Sequence, residues 1–152
     1  MTAIERLVDT ALGEVGYLEK ATEEFLDDKT ANAGYNNFTK YGKWYGWNGV
    51  FWCAQFVSWL FYAIGEPDIA PKCASCALAI AWYRNNAEFH TKEGYIPKPG
   101  DQIFFSSPAY PAGGAHTGIV IGCDGSRVYT VEGNTASGTS IISNGGEVAA
   151  KD

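Results

Sequence analysis

The sequence predicts an α+β domain with helices first and an antiparallel sheet after them. Three observations carry this. Apolar residues recur at helical spacing in the first half of the chain, and short β-branched and aromatic runs separated by Pro-Gly, Asp-Gly and Asn-Gly turns fill the second. The two patterns do not alternate, as the βαβ units of a parallel sheet would require.

The elements follow in order. Ile4, Leu7, Val8, Ala11, Leu12 and Val15 form one helical stripe behind Thr2 and Glu5, an N-terminal capping pair, and the helix stops near Gly16. This reads as an amphipathic helix and not as the apolar core of a secretory signal. Residues 19–37 are polar and predict a long loop or a short surface helix ending at Asn32-Ala33-Gly34-Tyr35. The stretch 38–52 is rich in rings and glycine, with Tyr41, Trp44, Tyr45, Trp47, Phe51 and Trp52. Such rings either wall a binding groove or form a small aromatic core beneath a loop; Tyr41, Trp47 and Trp52 are the candidate substrate contacts. A helix over 53–64 carries Phe56, Val57, Leu60, Phe61 and Ile64 on one stripe and ends at Gly65, with Pro67 beyond. A shorter helix is predicted over 75–83. Strands are predicted over 88–91, 95–96, 102–105, 116–121, 127–134 and 139–142.

Length and charge narrow the partners. At 152 residues the chain fits one domain, able to bury about two-thirds of its unfolded surface. Eleven Lys and Arg against seventeen Asp and Glu give a net charge of −6, which disfavours nucleic acid and anionic membranes as partners. No apolar run approaches the roughly 20 residues of a membrane span.

The chemistry centres on Cys53. It opens the helix in Trp52-Cys53-Ala54-Gln55-Phe56-Val57, where unpaired backbone N–H groups and the helix dipole favour a thiolate, the form in which cysteine attacks. A thiol nucleophile needs a base, and the chain has two histidines, His90 and His116. His90 lies in a solvated stretch with Glu88, Lys92 and Glu93. His116 follows the flexible Pro111-Ala112-Gly113-Gly114-Ala115 loop and opens the strand Thr117-Gly118-Ile119-Val120-Ile121, which makes it the candidate base. The next strand brings Glu132 and Asn134, two apart and so on one face, back toward His116. Register decides whether they meet. A two-residue Asp124-Gly125 loop would put His116 and Glu132 on opposite faces, so a three-residue loop of Cys123, Asp124 and Gly125, or an equivalent bulge, is predicted; the three-residue loop sets His116 directly across from Glu132.

These blocks resemble the CHAP domains, the cysteine- and histidine-dependent amidohydrolases and peptidases. The resemblance runs through Trp52-Cys53-Ala54-Gln55-Phe56-Val57, Pro97-Lys98-Pro99-Gly100-Asp101-Gln102-Ile103-Phe104-Phe105, His116-Thr117-Gly118-Ile119-Val120 and Val131-Glu132-Gly133-Asn134. It implies a papain-like core and one catalytic domain over 1–152, of the kind expected when such a domain is cut from a longer protein with a wall-binding module. It implies Cys53 as nucleophile, His116 as general base and acid, Glu132 as the group that orients His116, and Asn134 in support. The implied substrate is the peptide part of bacterial peptidoglycan, and the chain most resembles lysins of phages infecting Gram-positive bacteria or related wall hydrolases carried on mobile elements. Action is then expected on the extracellular wall by a monomeric domain, released by a phage or exported by other means. One departure is the stretch 40–49, which lacks the carboxylates of the calcium loop in some members, so neither metal nor cofactor is expected.

The oxyanion of such a reaction has the Cys53 N–H as one donor, with Tyr41 or Asn37 as candidates for a second. Cys73-Ala74-Ser75-Cys76 could be half of a zinc site, but the chain has no second such pair, and a thioredoxin-like role would need a βαβ setting. These cysteines are expected to pack at a helix start near the groove. Two function classes remain open at this level: a hydrolase of wall peptides, and a wall-binding module on the same fold without turnover.

Overall fold

Thr2 and Glu5 begin the first helix as their spacing predicts: the Thr2 hydroxyl accepts the Glu5 N–H at 3.1 Å and the Glu5 carboxylate accepts the Thr2 N–H at 3.2 Å. In the computed structural model, which describes residues 1–136 and 145–152, this helix, α1, spans Ala3–Glu14. It buries Leu7 and Ala11. Three further helices follow, α2 (Lys40–Tyr45), α3 (Cys53–Ala63) and α4 (Cys76–Asn86), and then strands β1 (Gln102–Phe105), β2 (His116–Cys123), β3 (Val128–Thr135) and β4 (Glu147–Lys151). Among the described residues the strands form one antiparallel sheet in the order β1-β2-β3-β4. Helices and sheet are segregated as expected, and α3 packs on β2 and β3.

The core lies between α3 and the sheet. Trp52, Phe56, Val57 and Leu60 meet Ile119, Val131 and Val148, with Leu7, Ala11, Tyr17 and Tyr41 closing the far side. Gly133 marks the tightest approach. A Cβ there would lie 2.8 Å from Phe56 Cβ and 2.9 Å from the Trp52 ring, so the first turn of α3 sits directly against the β3 backbone.

Some expectations need correction. Residues 88–91 and 95–96 are not strands; the segment between α4 and β1 is irregular. His90 there pairs with Glu88 at 3.1 Å and stacks on Tyr95 at 4.1 Å, contacts that hold a loop together without a ladder. The short helix α2 lies inside the aromatic stretch, where it was not anticipated; Thr39 caps its start through the Gly42 N–H at 3.0 Å and Gly46 ends it with a left-handed backbone. Of the alternatives for 19–37, the loop is observed. The strand expected over 139–142 lies outside the described residues. The closing strand β4, not anticipated, pairs with β3 and extends the sheet.

Replacing Gly133 with Ala forces backbone and ring apart at the α3–β3 contact. Chemical denaturation is expected to show a loss of about 1–3 kcal/mol, against no loss for Gly13→Ala, a glycine of α1 whose added Cβ would meet nothing within 4 Å.

Candidate active site

Among the described residues, three of the four helices carry a side-chain cap: Thr2, Thr39 and Ser75 each accept a first-turn N–H. The start of α3 has none. Trp52 occupies the cap position with no side-chain hydrogen bond, so the first backbone N–H groups of α3 have no side-chain acceptor, and Cys53 is the first residue inside. Trp52 is instead fixed from behind. Its indole N–H donates to Glu19 Oε1 at 3.1 Å, while Glu19 Oε2 accepts the Asn37 N–H at 2.8 Å. The Trp52 ring stacks on Tyr41 at 5.6 Å.

Opposite the Cys53 end of α3 lies the first residue of β2, His116, fully buried. Its Nε2 is 2.9 Å from Glu132 Oε1, and the second oxygen of Glu132 accepts the Thr130 hydroxyl. With Nε2 engaged, Nδ1 is the ring nitrogen left for Cys53, and it has no hydrogen-bond partner otherwise.

Of the two routes anticipated for bringing Glu132 to His116, an odd-length loop and an equivalent bulge, the bulge is the one observed. Cys123 pairs with Val128, leaving the four-residue loop 124–127, an even length that by itself would put His116 and Glu132 on opposite faces. A bulge between Val120 and Gly122 restores the parity. Continuing the Ile119↔Val131 register sets Glu132 across from Gly118, not from His116. Its side chain therefore runs diagonally along the sheet face. Position 118 permits this only as glycine, because a Cβ there would lie 2.5 Å from Glu132 Cγ.

The charges follow from these contacts. The Cys53 thiol is held well below the ordinary thiol range, chiefly by a hydrogen bond from Cys76, then by the His116 ring and the Thr117 N–H, against the opposing effect of burial. Burial pushes His116 down, but the hydrogen bonds and negative charge of Cys53 and Glu132 outweigh it and raise it to about 9. The favoured state between those limits is a Cys53 thiolate facing a His116 imidazolium. Cys76 was missed as a partner in the sequence. Its Sγ is 4.0 Å from that of Cys53, and its own thiol is pushed up by that hydrogen bond and by burial. The available signal was its position: like Cys53, it is the first residue of a helix.

The residues anticipated for the site thus divide. Cys53, His116 and Glu132 come together. Asn134 is buried at the end of β3 with a left-handed backbone (φ 54°), its carbonyl accepting the Gly145 N–H at 3.0 Å. Tyr41 and Trp52 are both 0% exposed, so neither ring presents a surface to substrate; they form the aromatic core beneath the site. The Tyr41 hydroxyl is committed to Glu14 at 2.7 Å, which removes it as an oxyanion donor. Trp47, at 58% exposure, remains available, and its carbonyl accepts Gln55 Nε2 at 2.8 Å, tying it to the first turn of α3. No cluster of three or more His, Cys, Asp or Glu able to hold a metal ion occurs among the described residues.

With this geometry in view, the comparison with known families is direct: the CHAP domain family matches residues 44–134, more than half of the chain and all of the Cys53, His116 and Glu132 segments. The chain belongs to the CHAP domain family. No curated protein and no solved structure gives a significant match. Membership in the CHAP family implies an amidohydrolase or peptidase acting on peptidoglycan, and the α+β arrangement is that of a papain-like CHAP core. No described helix is long and apolar enough to cross a membrane.

Two substitutions probe the electrostatics directly. Glu132→Gln removes the negative acceptor at Nε2 while leaving burial in place, so the His116 titration followed by NMR is expected to move down from about 9. Cys76→Ala removes the largest influence holding Cys53 down, so the midpoint of Cys53 alkylation rate against pH is expected to rise.

Proposed function

We propose that this CHAP domain is a thiol-dependent peptidoglycan amidase or endopeptidase using Cys53, His116 and Glu132. The observation that carries the reading is the buried line from the Glu132 carboxylate through His116 to Cys53, with Nδ1 turned to the thiol and no competing hydrogen bond on it.

In this mechanism the Cys53 thiolate attacks the carbonyl carbon of a wall peptide and the His116 imidazolium hands its proton to the departing amine. The neutral imidazole then takes a proton from water, whose oxygen attacks the thioester and releases the acid. Glu132 stabilises the imidazolium and fixes the ring so that Nδ1 serves both transfers. The uncapped start of α3 supplies the Cys53 N–H to the developing oxyanion. Asn134 supports the strand end that carries Glu132. Trp47 and the similarly exposed Phe51 flank the α3 start and offer apolar faces to an extended stem peptide.

All the reacting groups come from one chain, which suits a monomeric catalytic domain. The similarity of its sequence blocks to phage lysins supports a target outside the cell, in the wall of Gram-positive bacteria.

The test is digestion of purified Gram-positive peptidoglycan with mass spectrometry of the released fragments. Wild type is expected to release them, Cys53→Ala to release none, and Glu132→Ala to lose roughly 10²-fold or more in kcat/KM. New lactyl ends identify an amidase and new peptide amines an endopeptidase. Wall binding without release by the wild type would overturn the reading in favour of a binding module. With both limits set by the thiolate–imidazolium pair, kcat/KM is expected to fall as pH rises through about 9, where His116 loses its proton.

A further inference from the structure

We infer that Cys53 and Cys76 form a reversible peroxide-modification site, in which oxidised Cys53 is captured by Cys76 as an intramolecular disulfide. The inference rests on the hydrolase reading only in its consequence, that the modification switches turnover off.

The geometric basis is the 4.0 Å approach of the two sulfurs, each at the first residue of its helix and each 8% exposed. The approach is enforced by backbone contacts. The Ser58 hydroxyl, one and a half turns along α3 from Cys53, accepts the Cys73 N–H at 3.0 Å and lies 3.1 Å from the Pro71 carbonyl and 3.2 Å from that of Cys73. It pins the segment leading into α4 against α3, so Cys76 is held beside Cys53 by contacts that do not involve either thiol. Closing the gap to a bond of about 2 Å is within reach of side-chain rotation at the two helix starts.

The other thiols are placed differently. Cys123 closes β2 at the end away from His116, roughly 20 Å along the strand. Cys73 has its backbone tied to Ser58, and burial pushes its thiol up.

The chemistry balances with hydrogen peroxide as oxidant. The Cys53 thiolate attacks one peroxide oxygen, the S–O bond forms as the O–O bond breaks, and the leaving hydroxide takes a proton to become water. Cys76 then attacks the Cys53 sulfur; the S–S bond forms, the S–O bond breaks, and a second water leaves. Two thiols are oxidised and one peroxide is reduced. The order of events is built in. Cys76 is kept protonated first of all by its hydrogen bond to the charged Cys53 sulfur. Conversion of that sulfur to a neutral sulfenic acid removes this influence when the second thiol is needed as a nucleophile. The disulfide consumes the Cys53 thiolate, and a thiol reductant returns it.

The test is peptide mapping of the reduced wild type after brief hydrogen peroxide treatment and quenching by alkylation. Trypsin cuts after Lys43, Lys72 and Arg84, so Cys53 falls on one peptide and Cys73 with Cys76 on the next. A cross-link between the two peptides, assigned by fragmentation to Cys53 and Cys76, is expected. Wall-fragment release should fall in proportion to the cross-linked fraction and return with dithiothreitol. In Cys76→Ala, Cys53 should advance to sulfinic and sulfonic acid, and reductant should restore nothing. Over-oxidation of Cys53 in the wild type with Cys76 still free, or a link to Cys73, overturns the inference. If the reduced wild type releases no wall fragments, the hydrolase reading fails, and the peptide map alone decides the thiol pair.

Discussion

A carboxylate and an imidazole are both buried at the centre of this domain, and neither could be there without the other. Leaving one ionised group unpaired in such a setting costs several kcal/mol. The His116–Glu132 hydrogen bond, supported by Thr130 on the second carboxylate oxygen, is the contact that makes the burial tolerable. It depends on two features of the sheet that have no polar chemistry of their own. The bulge beside Ile121 turns Glu132 to the His116 face, and the missing side chain at Gly118 leaves the diagonal path open. A conservative change at either position would act on the site without touching a charged group.

The same logic links the aromatic core to the thiol. Tyr41, Trp52 and Phe56 fill the space below the start of α3, and Gly133 lets that turn rest on β3. Glu19 holds the Trp52 indole from the preceding loop. The helix start is thereby fixed by packing and not by a capping side chain, and its backbone donors stay clear of side-chain acceptors. A capped α3 would have been locally more stable by about 1 kcal/mol, but its cap would compete for the N–H groups that a reacting carbonyl needs.

Much of this was legible from residues alone, for reasons that can be named. Helical periodicity and terminal signals located α1, α3 and α4 within a few residues, because capping pairs and stop glycines are local chemistry. Having only two histidines made His116 findable, and face parity alone raised the question of a bulge. The register itself was not legible, since a bulge one residue deep in a strand leaves no turn residue to mark it. Strands assigned to 88–91 and 95–96 failed because their rings pair with each other inside a loop, a tertiary arrangement that mimics strand composition. Tyr41 and Trp52 illustrate the same gap: an aromatic in a ring- and glycine-rich stretch reads identically whether it lines a groove or fills a core. Cys76 was legible as a residue at a helix start near the groove, but not as a partner of Cys53, because the two are 23 positions apart and the contact is made by the docking of two helix starts.

The central claim is that Cys53 is the nucleophile in a covalent mechanism, and its most direct measurement is acid-quenched mass spectrometry of the reduced enzyme during turnover of a defined stem peptide. The account predicts a transient thioester mapped to Cys53, accumulating when water attack is slowed. Turnover with no acyl adduct at Cys53, or an adduct mapped to another residue, would contradict it.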